Sequence, residues 1–367
     1  MRKPNICIIG ATGTLGNKLL KFTFNNKIKI DCITYFNNKK KALNLKKKNN
    51  IKNCYSLKNE QEKNNFIKYL KLNKLDIIYF LDFGIESLLY VDIILSKNNG
   101  SYLAIANKEL IIGGGPLLID KIEKTKNFLI PLDSEHYSLF NSNIKNNKDN
   151  IKKIYITASG GPFYFNKKIN LNDVNLKQVL NHPKWKMGVN NSIDSSNFIN
   201  KLLEIYELSI IYKIDLYKIF FLVSKNAYVH SLIEYKDNTL SLNCFANDML
   251  ITLIRPLSEF FNINLNLKNH EIFNTNNFNL EKFNDKRFKI TSLFSKFTKL
   301  NHKGILRLVL LNNIAQKRYL NGSLTYNNII PFISKNLKII KEVSSFKSFD
   351  DILIFVKKFK IEYEKIK

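Results

Sequence analysis

A short strand, Asn5-Ile6-Cys7-Ile8-Ile9, runs straight into a glycine turn, Gly10-Ala11-Thr12-Gly13-Thr14-Leu15-Gly16, and then into an amphipathic stretch, Leu15–Phe24. The order strand, glycine turn, helix constrains the fold more than any other feature, because a chain that leaves a strand through a tight turn into a helix is set up for a parallel crossover. The pattern repeats over the first 130 residues. Apolar runs at Ile30–Tyr35, Ile51–Tyr55, Ile77–Leu81, Tyr102–Ile105 and Phe128–Ile130 alternate with helical patterns such as Glu60–Leu70 and Glu86–Lys97. Such alternation predicts a Rossmann-like parallel sheet with helices on both faces.

Beyond this region the pattern changes. Strands are expected at Ile154–Ala158, Ile219–Val223, Val229–Tyr235 and Thr239–Cys244, with a helix over Ser196–Ile211, which makes a mixed α+β region. Apolar spacing turns helical again from about Leu300. The fold class is therefore α/β, with an N-terminal Rossmann-like parallel sheet, a central α+β catalytic domain and a small C-terminal helical domain. The expected boundaries are 1–132, 133–260, an Asn-rich linker at 261–298 and 299–367.

Composition removes other classes. At 367 residues with 45% hydrophobic content the chain can build more than one core. No run approaches the eighteen or so apolar residues of a membrane span. The first strand begins too early to leave room for a signal or transit peptide ahead of it, so a cytoplasmic location is expected. The net charge of +28 suggests nucleic acid, but arginine occurs only at 2, 255, 287, 307 and 318. Lysine, asparagine and isoleucine rise together in every segment, which is drift of composition and not a built phosphate-reading surface. No specific nucleic-acid partner and no membrane are expected. Cys7, Cys32, Cys54 and Cys244 lack metal or disulfide spacing and read as core thiols.

Five further segments carry chemistry. Asn107-Lys108-Glu109 follows the fifth strand, at the carboxyl edge where parallel sheets bind ligands. Asp133-Ser134-Glu135-His136 follows the sixth. Its paired carboxylates suit either a hard cation or the first turn of a helix. Ser195 and Ser196 can start a helix on which Asn200, Lys201 and Glu204 share one face, either a solvated face or a polar site for a ligand. His182 to Gly188, with the chain's only Trp at 185, reads as a lid or as a Trp anchored in the core. The second strand ends in Tyr35-Phe36-Asn37-Asn38-Lys39-Lys40, without the acid an NAD enzyme places there, which favours the 2′-phosphate of NADP.

Taken together these segments resemble the 1-deoxy-D-xylulose 5-phosphate reductoisomerase family. The matching runs are Gly10–Gly16, Ala106–Glu109, Pro131–His136, Thr157–Phe163, His182–Gly188 and Asp194–Glu204. The resemblance implies NADPH contacts at Thr12, Gly13, Thr14, Leu15, Asn38, Asn107, Glu109 and Gly188. It implies a divalent cation, Mg²⁺ or Mn²⁺ with Co²⁺ as a further candidate, on Asp133, Glu135 and Glu204. Substrate contacts are implied at Lys108, Ser134, Glu135, Ser159, His182, Ser195, Asn200, Lys201 and Glu204, of which Ser159, Ser195, Asn200 and Lys201 surround the phosphate. Lys108, Asp133, Glu135 and Glu204 are the implied catalytic set, and Trp185 and Met187 belong to the implied flap 182–188. A sugar-phosphate substrate and a homodimer follow in the same way.

The chain departs from the family in places. Ser224-Lys225-Asn226-Ala227 stands where a His-Pro-Gln-Ser run is usual. Asn247-Asp248-Met249-Leu250-Ile251-Thr252 replaces Pro-Asp-Met-Arg-Thr-Pro, and Phe36-Asn37 replaces a Gly-Lys pair. Two other readings are an NADP oxidoreductase acting on a different phosphorylated sugar and a basic polyanion-binding protein without catalysis.

Overall fold

The structure is a computed structural model that describes residues 3–140, 142, 144, 147–183, 188–263, 278–337 and 345–364. The chain divides into two compact units. The first comprises Met1–Phe140, Asp248–His270 and Ser348–Leu353; the second comprises Asn141–Asn247, Glu271–Lys347 and Ile354–Lys367.

In the first unit six strands alternate with helices. They are β1 (Ile6–Ile9), α1 (Thr14–Asn25), β2 (Cys32–Tyr35), α2 (Lys39–Lys48), β3 (Asn53–Ser56) and α3 (Glu60–Leu72). Then come β4 (Ile77–Phe80), α4 (Leu88–Lys97), β5 (Tyr102–Ile105), α5 (Lys108–Lys124), β6 (Phe128–Pro131) and α6 (Ser134–Phe140). The sheet order is β3-β2-β1-β4-β5-β6 and every pairing is parallel. All four residues of β1, and all four of β4, are buried. Helices cover both faces, which is why these strands read as unbroken apolar runs. The order reverses between β1 and β4, so their carboxyl ends flank the crevice in which doubly wound sheets hold ligands.

Asparagine serves repeatedly as a helix cap. Asn38, Asn59 and Asn107 accept from Lys41, Glu62 and Leu110 backbone N–H groups at the starts of α2, α3 and α5. Within α5 the run Gly113-Gly114-Gly115-Pro116 breaks the helical path at Gly115, whose φ is +52°. Residues after 247 return to this unit. Leu253 and Leu257 join the core beside Ile6, Ile8 and Tyr79, and the Tyr79 hydroxyl donates to the Leu253 carbonyl at 2.8 Å.

The second unit contains β7 (Ile151–Ala158), α7 (Leu176–Leu180), α8 (Val189–Ser196), α9 (Ile199–Tyr212), β8 (Ile219–Val223), β9 (Val229–Tyr235) and β10 (Leu240–Cys244). After α10 (Leu250–Ile254), which belongs to the first unit, come β11 (Glu281–Lys282), α11 (Ile290–Phe297), α12 (His302–Leu320) and α13 (Ile329–Asn336). The strand β11 and helix α11 thus lie in the stretch read as a linker, of which residues 264–277 are outside the described residues. Helix α14 (Phe349–Glu364) is the last element. The sheet order is β10-β9-β7-β8-β11, with β7 parallel to β8 and the other pairs antiparallel.

Register sorts this sheet into two faces. Ile154 pairs with Ile233 and Ile219, and all three are 0% exposed. On the opposite face Leu242, Leu232, Tyr155 and Phe220 stand opposite one another in a row across four strands. Among the described residues no helix is long and apolar enough to cross a membrane.

Candidate active site

The glycine turn after β1 is shaped by close approach. Gly10 has φ +86°, and a Cβ there would lie 2.5 Å from the Asp82 backbone nitrogen, so only glycine fits between the ends of β1 and β4. A Cβ on Gly16 would lie 2.4 Å from the Ala11 carbonyl oxygen. Gly13 precedes α1 with no side-chain cap, which leaves the first N–H groups of a twelve-residue helix to an outside acceptor. Thr12, Gly13, Thr14 and Leu15 are all at least partly exposed. The Lys41 ammonium donates to the Thr12 carbonyl at 2.8 Å, which brings the basic start of α2, with Asn38 as its cap, to this turn.

At the ends of β4 and β5 the polar groups are interlocked. Asn107 is 3% exposed; its amide donates to Asp82 at 3.2 Å and to the Gly84 carbonyl at 2.9 Å while its oxygen caps α5. Ser87 also donates to Asp82. Burial pushes the Asp82 carboxyl up to about 6 against these two hydrogen bonds. Glu109 is buried in the first turn of α5. Asp82 carries no signal in the sequence, since a single acid after an apolar strand reads as a strand end.

One strand further along, the Lys108 ammonium bonds the Asp133 carboxylate. Ser134 donates to Glu135, and the Glu135 backbone N–H donates to Asp133 at 3.3 Å. His136 is 0% exposed, with Nδ1 3.6 Å from Asp133. Asp133 precedes α6 and Glu135 lies in its first turn, so the helix-start reading of this run holds locally.

The second unit carries polar groups of its own. Asn200 and Lys201 both bond Glu204, the ammonium at 2.5 Å, with Lys201 7% and Glu204 1% exposed. The three residues expected on one helix face are therefore together, and the pair is buried, not solvated. Ser159 Oγ lies 2.9 Å from His182 Nε2. Burial and then the Lys201 charge lower the His182 imidazole to about 4, so the ring is neutral at neutral pH. Gly161, at φ +56°, brings this loop against α8: a Cβ there would meet the Ser195 carbonyl oxygen at 3.1 Å.

Ser195 and Ser196 end α8; they do not start α9, as the sequence suggested. The break is Asn197-Phe198, where Phe198 takes a left-handed φ of +68° while 1% exposed. Phe221, Phe283 and Phe288 hold its ring at centroid distances of 5.9, 4.7 and 5.0 Å, and this packing overrides helix propensity. Arg287 ties down the loop after Ser159 by donating to the carbonyls of Phe163, Tyr164, Asn166 and Ile169. Gly188 is exposed and precedes α8. Trp185 and Met187 lie outside the described residues. Of the thiols, Cys7 and Cys32 are buried as expected, but Cys54 is half-buried and Cys244 exposed because β10 is an edge strand.

The strand order, the glycine turn and the polar ends of β4 and β5 place the protein among the doubly wound α/β proteins. A model of the 1-deoxy-D-xylulose 5-phosphate reductoisomerase C-terminal domain matches residues 129–212. The reductoisomerase of Pelagibacter ubique (strain HTCC1062) is 32% identical over 347 residues, 88% of each chain. That of Clostridium novyi (strain NT) is 30% identical over 374 residues, 95% of each. The chain belongs to the 1-deoxy-D-xylulose 5-phosphate reductoisomerase family. Solved structures agree on the fold. The Zymomonas mobilis enzyme in complex with NADPH superposes with a TM-score of 0.82 at 22% identity, covering 98% of each chain. A DOX-P reductoisomerase in complex with NADPH, fosmidomycin and magnesium gives 0.86 at 23% identity, covering 99% of this chain and 98% of that one.

Proposed function

We propose that the protein converts 1-deoxy-D-xylulose 5-phosphate to 2-C-methyl-D-erythritol 4-phosphate by rearranging the carbon skeleton and reducing the resulting aldehyde with NADPH. The observation that carries this reading is the Asn200, Lys201 and Glu204 group: an amide, an ammonium and a carboxylate on one turn of α9, two of them almost wholly buried. Burying such groups is costly even when they pair with one another, as Lys201 and Glu204 do, and a polar ligand would offset part of that cost. In this family the expected ligand is a sugar phosphate.

Ser159, Ser195, Asn200 and Lys201 would take the phosphate, and His182, neutral and paired with Ser159, would contact the sugar without adding a second positive charge. Phosphate binding away from the reacting carbons supplies orientation. Lys108 and Ser134 sit beside the acids and would donate to substrate oxygens, Lys108 stabilising negative charge as it develops. The flap with Trp185 and Met187 would exclude water. The NADPH set is Thr12, Gly13, Thr14, Leu15, Asn38, Asn107, Glu109 and Gly188. The backbone cradle after β1 fits a pyrophosphate, and NADPH when bound supplies the hydride.

Asp133, Glu135 and Glu204 would hold the cation. Their donor set fits a hard ion, since all three offer carboxylate oxygens and no sulfur. A bound Mg²⁺ or Mn²⁺ would supply Lewis-acid polarisation of the substrate. A cytoplasmic homodimer belongs to the same reading, with the row Leu242, Leu232, Tyr155 and Phe220 as its seam. Leu242 is 43% exposed, and a groove of about 400 Å³ lined by Tyr155, Phe220, Leu222 and Phe294 lies on the same unit.

The test follows NADPH oxidation with 1-deoxy-D-xylulose 5-phosphate. Turnover should require Mg²⁺ or Mn²⁺ and stop with chelator; no oxidation under any metal would overturn the assignment. Glu204→Gln should cut kcat on the order of 10²–10³-fold with the fold retained.

A further inference from the structure

Helix α12 carries two amides one turn apart, Asn312 and Gln316, each 2% exposed. Asn312 Nδ2 donates to both oxygens of Asp194, at 3.0 and 2.9 Å. Gln316 Nε2 donates to Asp194 Oδ1 at 2.5 Å and to the Asn190 carbonyl at 3.3 Å. Their amide oxygens, Asn312 Oδ1 and Gln316 Oε1, are buried with no hydrogen-bond partner among the described residues. The reverse amide orientation would press two carbonyl oxygens onto a carboxylate, so the donors must face Asp194.

Asp194 adjoins Ser195. On the other side of Ser195, the Tyr326 hydroxyl donates to the Ser196 carbonyl at 2.8 Å. Gly161 closes in on the Ser195 carbonyl from the Ser159 loop. The backbone is therefore fixed before, at and after Ser195, and Gln316 reaches the start of α8 as well as its end.

We propose that Asn312 and Gln316 are positioning residues for the substrate's phosphate group, acting through Asp194 to hold Ser195 in place. This rests on the phosphate role given to Ser195 above. A hydroxyl held in place before the ligand arrives loses little freedom on binding, so loosening it weakens the phosphate contact first.

The variants Gln316→Met and Asn312→Leu remove each donor while keeping similar volume, and two of them guard against one failing to fold. Binding of inorganic phosphate is measured by calorimetry, alongside KM for the sugar phosphate, KM for NADPH, kcat and the melting temperature. Phosphate affinity should fall roughly tenfold, the scale of one lost hydrogen bond to a charged group, and KM for the sugar phosphate should rise with it. KM for NADPH should stay unchanged and kcat should fall by less. A lowered melting temperature with phosphate affinity intact would overturn the positioning role, as would equal losses for both substrates. Wild-type protein that binds no phosphate would instead overturn the phosphate reading of Ser195 itself.

Discussion

Asp82 illustrates how one side chain ties the end of a strand to solution conditions. Its carboxyl rises from an ordinary value of 3.8 to about 6 because burial disfavours the charge. The native state then binds its proton more tightly than the unfolded state does. Below about pH 4 both states are protonated and Asp82 costs nothing; between about 4 and 6 stability falls as pH rises; above 6 the full cost, up to about 3 kcal/mol, is present. Asp82→Asn should therefore unfold at higher urea than wild type at pH 7 and at nearly the same urea near pH 4. Parallel pH profiles for the two proteins would refute this. His182 acts in the opposite sense. Its lowered value gives stability that is complete above about pH 6.5 and is lost as pH falls toward 4. Gly10→Ala is a steric test: with φ +86° and backbone 2.5 Å from the added carbon, it should lower both stability and NADPH affinity. Gly188→Ala meets nothing within 4 Å among the described residues and should leave stability unchanged.

Among the elements, the caps set local stability. Asn59→Ala should cost about 1 kcal/mol in urea unfolding, and Asn59→Asp should restore it, because either oxygen can accept from the Glu62 N–H. The central strands β1, β2 and β4 were legible in the sequence because burial of every residue leaves unbroken apolar runs, and all six strands of the first sheet fall within two or three residues of expectation. Helix α2 was not, since Lys39–Lys48 buries only Ala42 and offers little apolar period to detect. The site was legible where it is local: Asn200, Lys201 and Glu204 meet because helix geometry stacks them. It was illegible where it depends on long-range packing. The break at Phe198 needs an aromatic cluster from three stretches of chain, and the hold on Asp194 spans 118 residues. No period or spacing encodes either.

At the scale of the whole molecule, +28 charges predict weak, sequence-indifferent adhesion to polyanions. Retention on immobilised heparin at about 50 mM salt should vanish by about 0.5 M, with no preference among nucleic-acid sequences, as screening removes long-range attraction. The row of Leu242, Leu232, Tyr155 and Phe220 has a different consequence. If two copies cover it for one another, folding and pairing share a single equilibrium, and the temperature at which the protein melts should climb as it is made more concentrated. Phe220→Asp should abolish that climb and give particles of single-chain mass in sedimentation. A newly made chain would then remain vulnerable to clumping until it met its twin, so dilution itself would act as a denaturant.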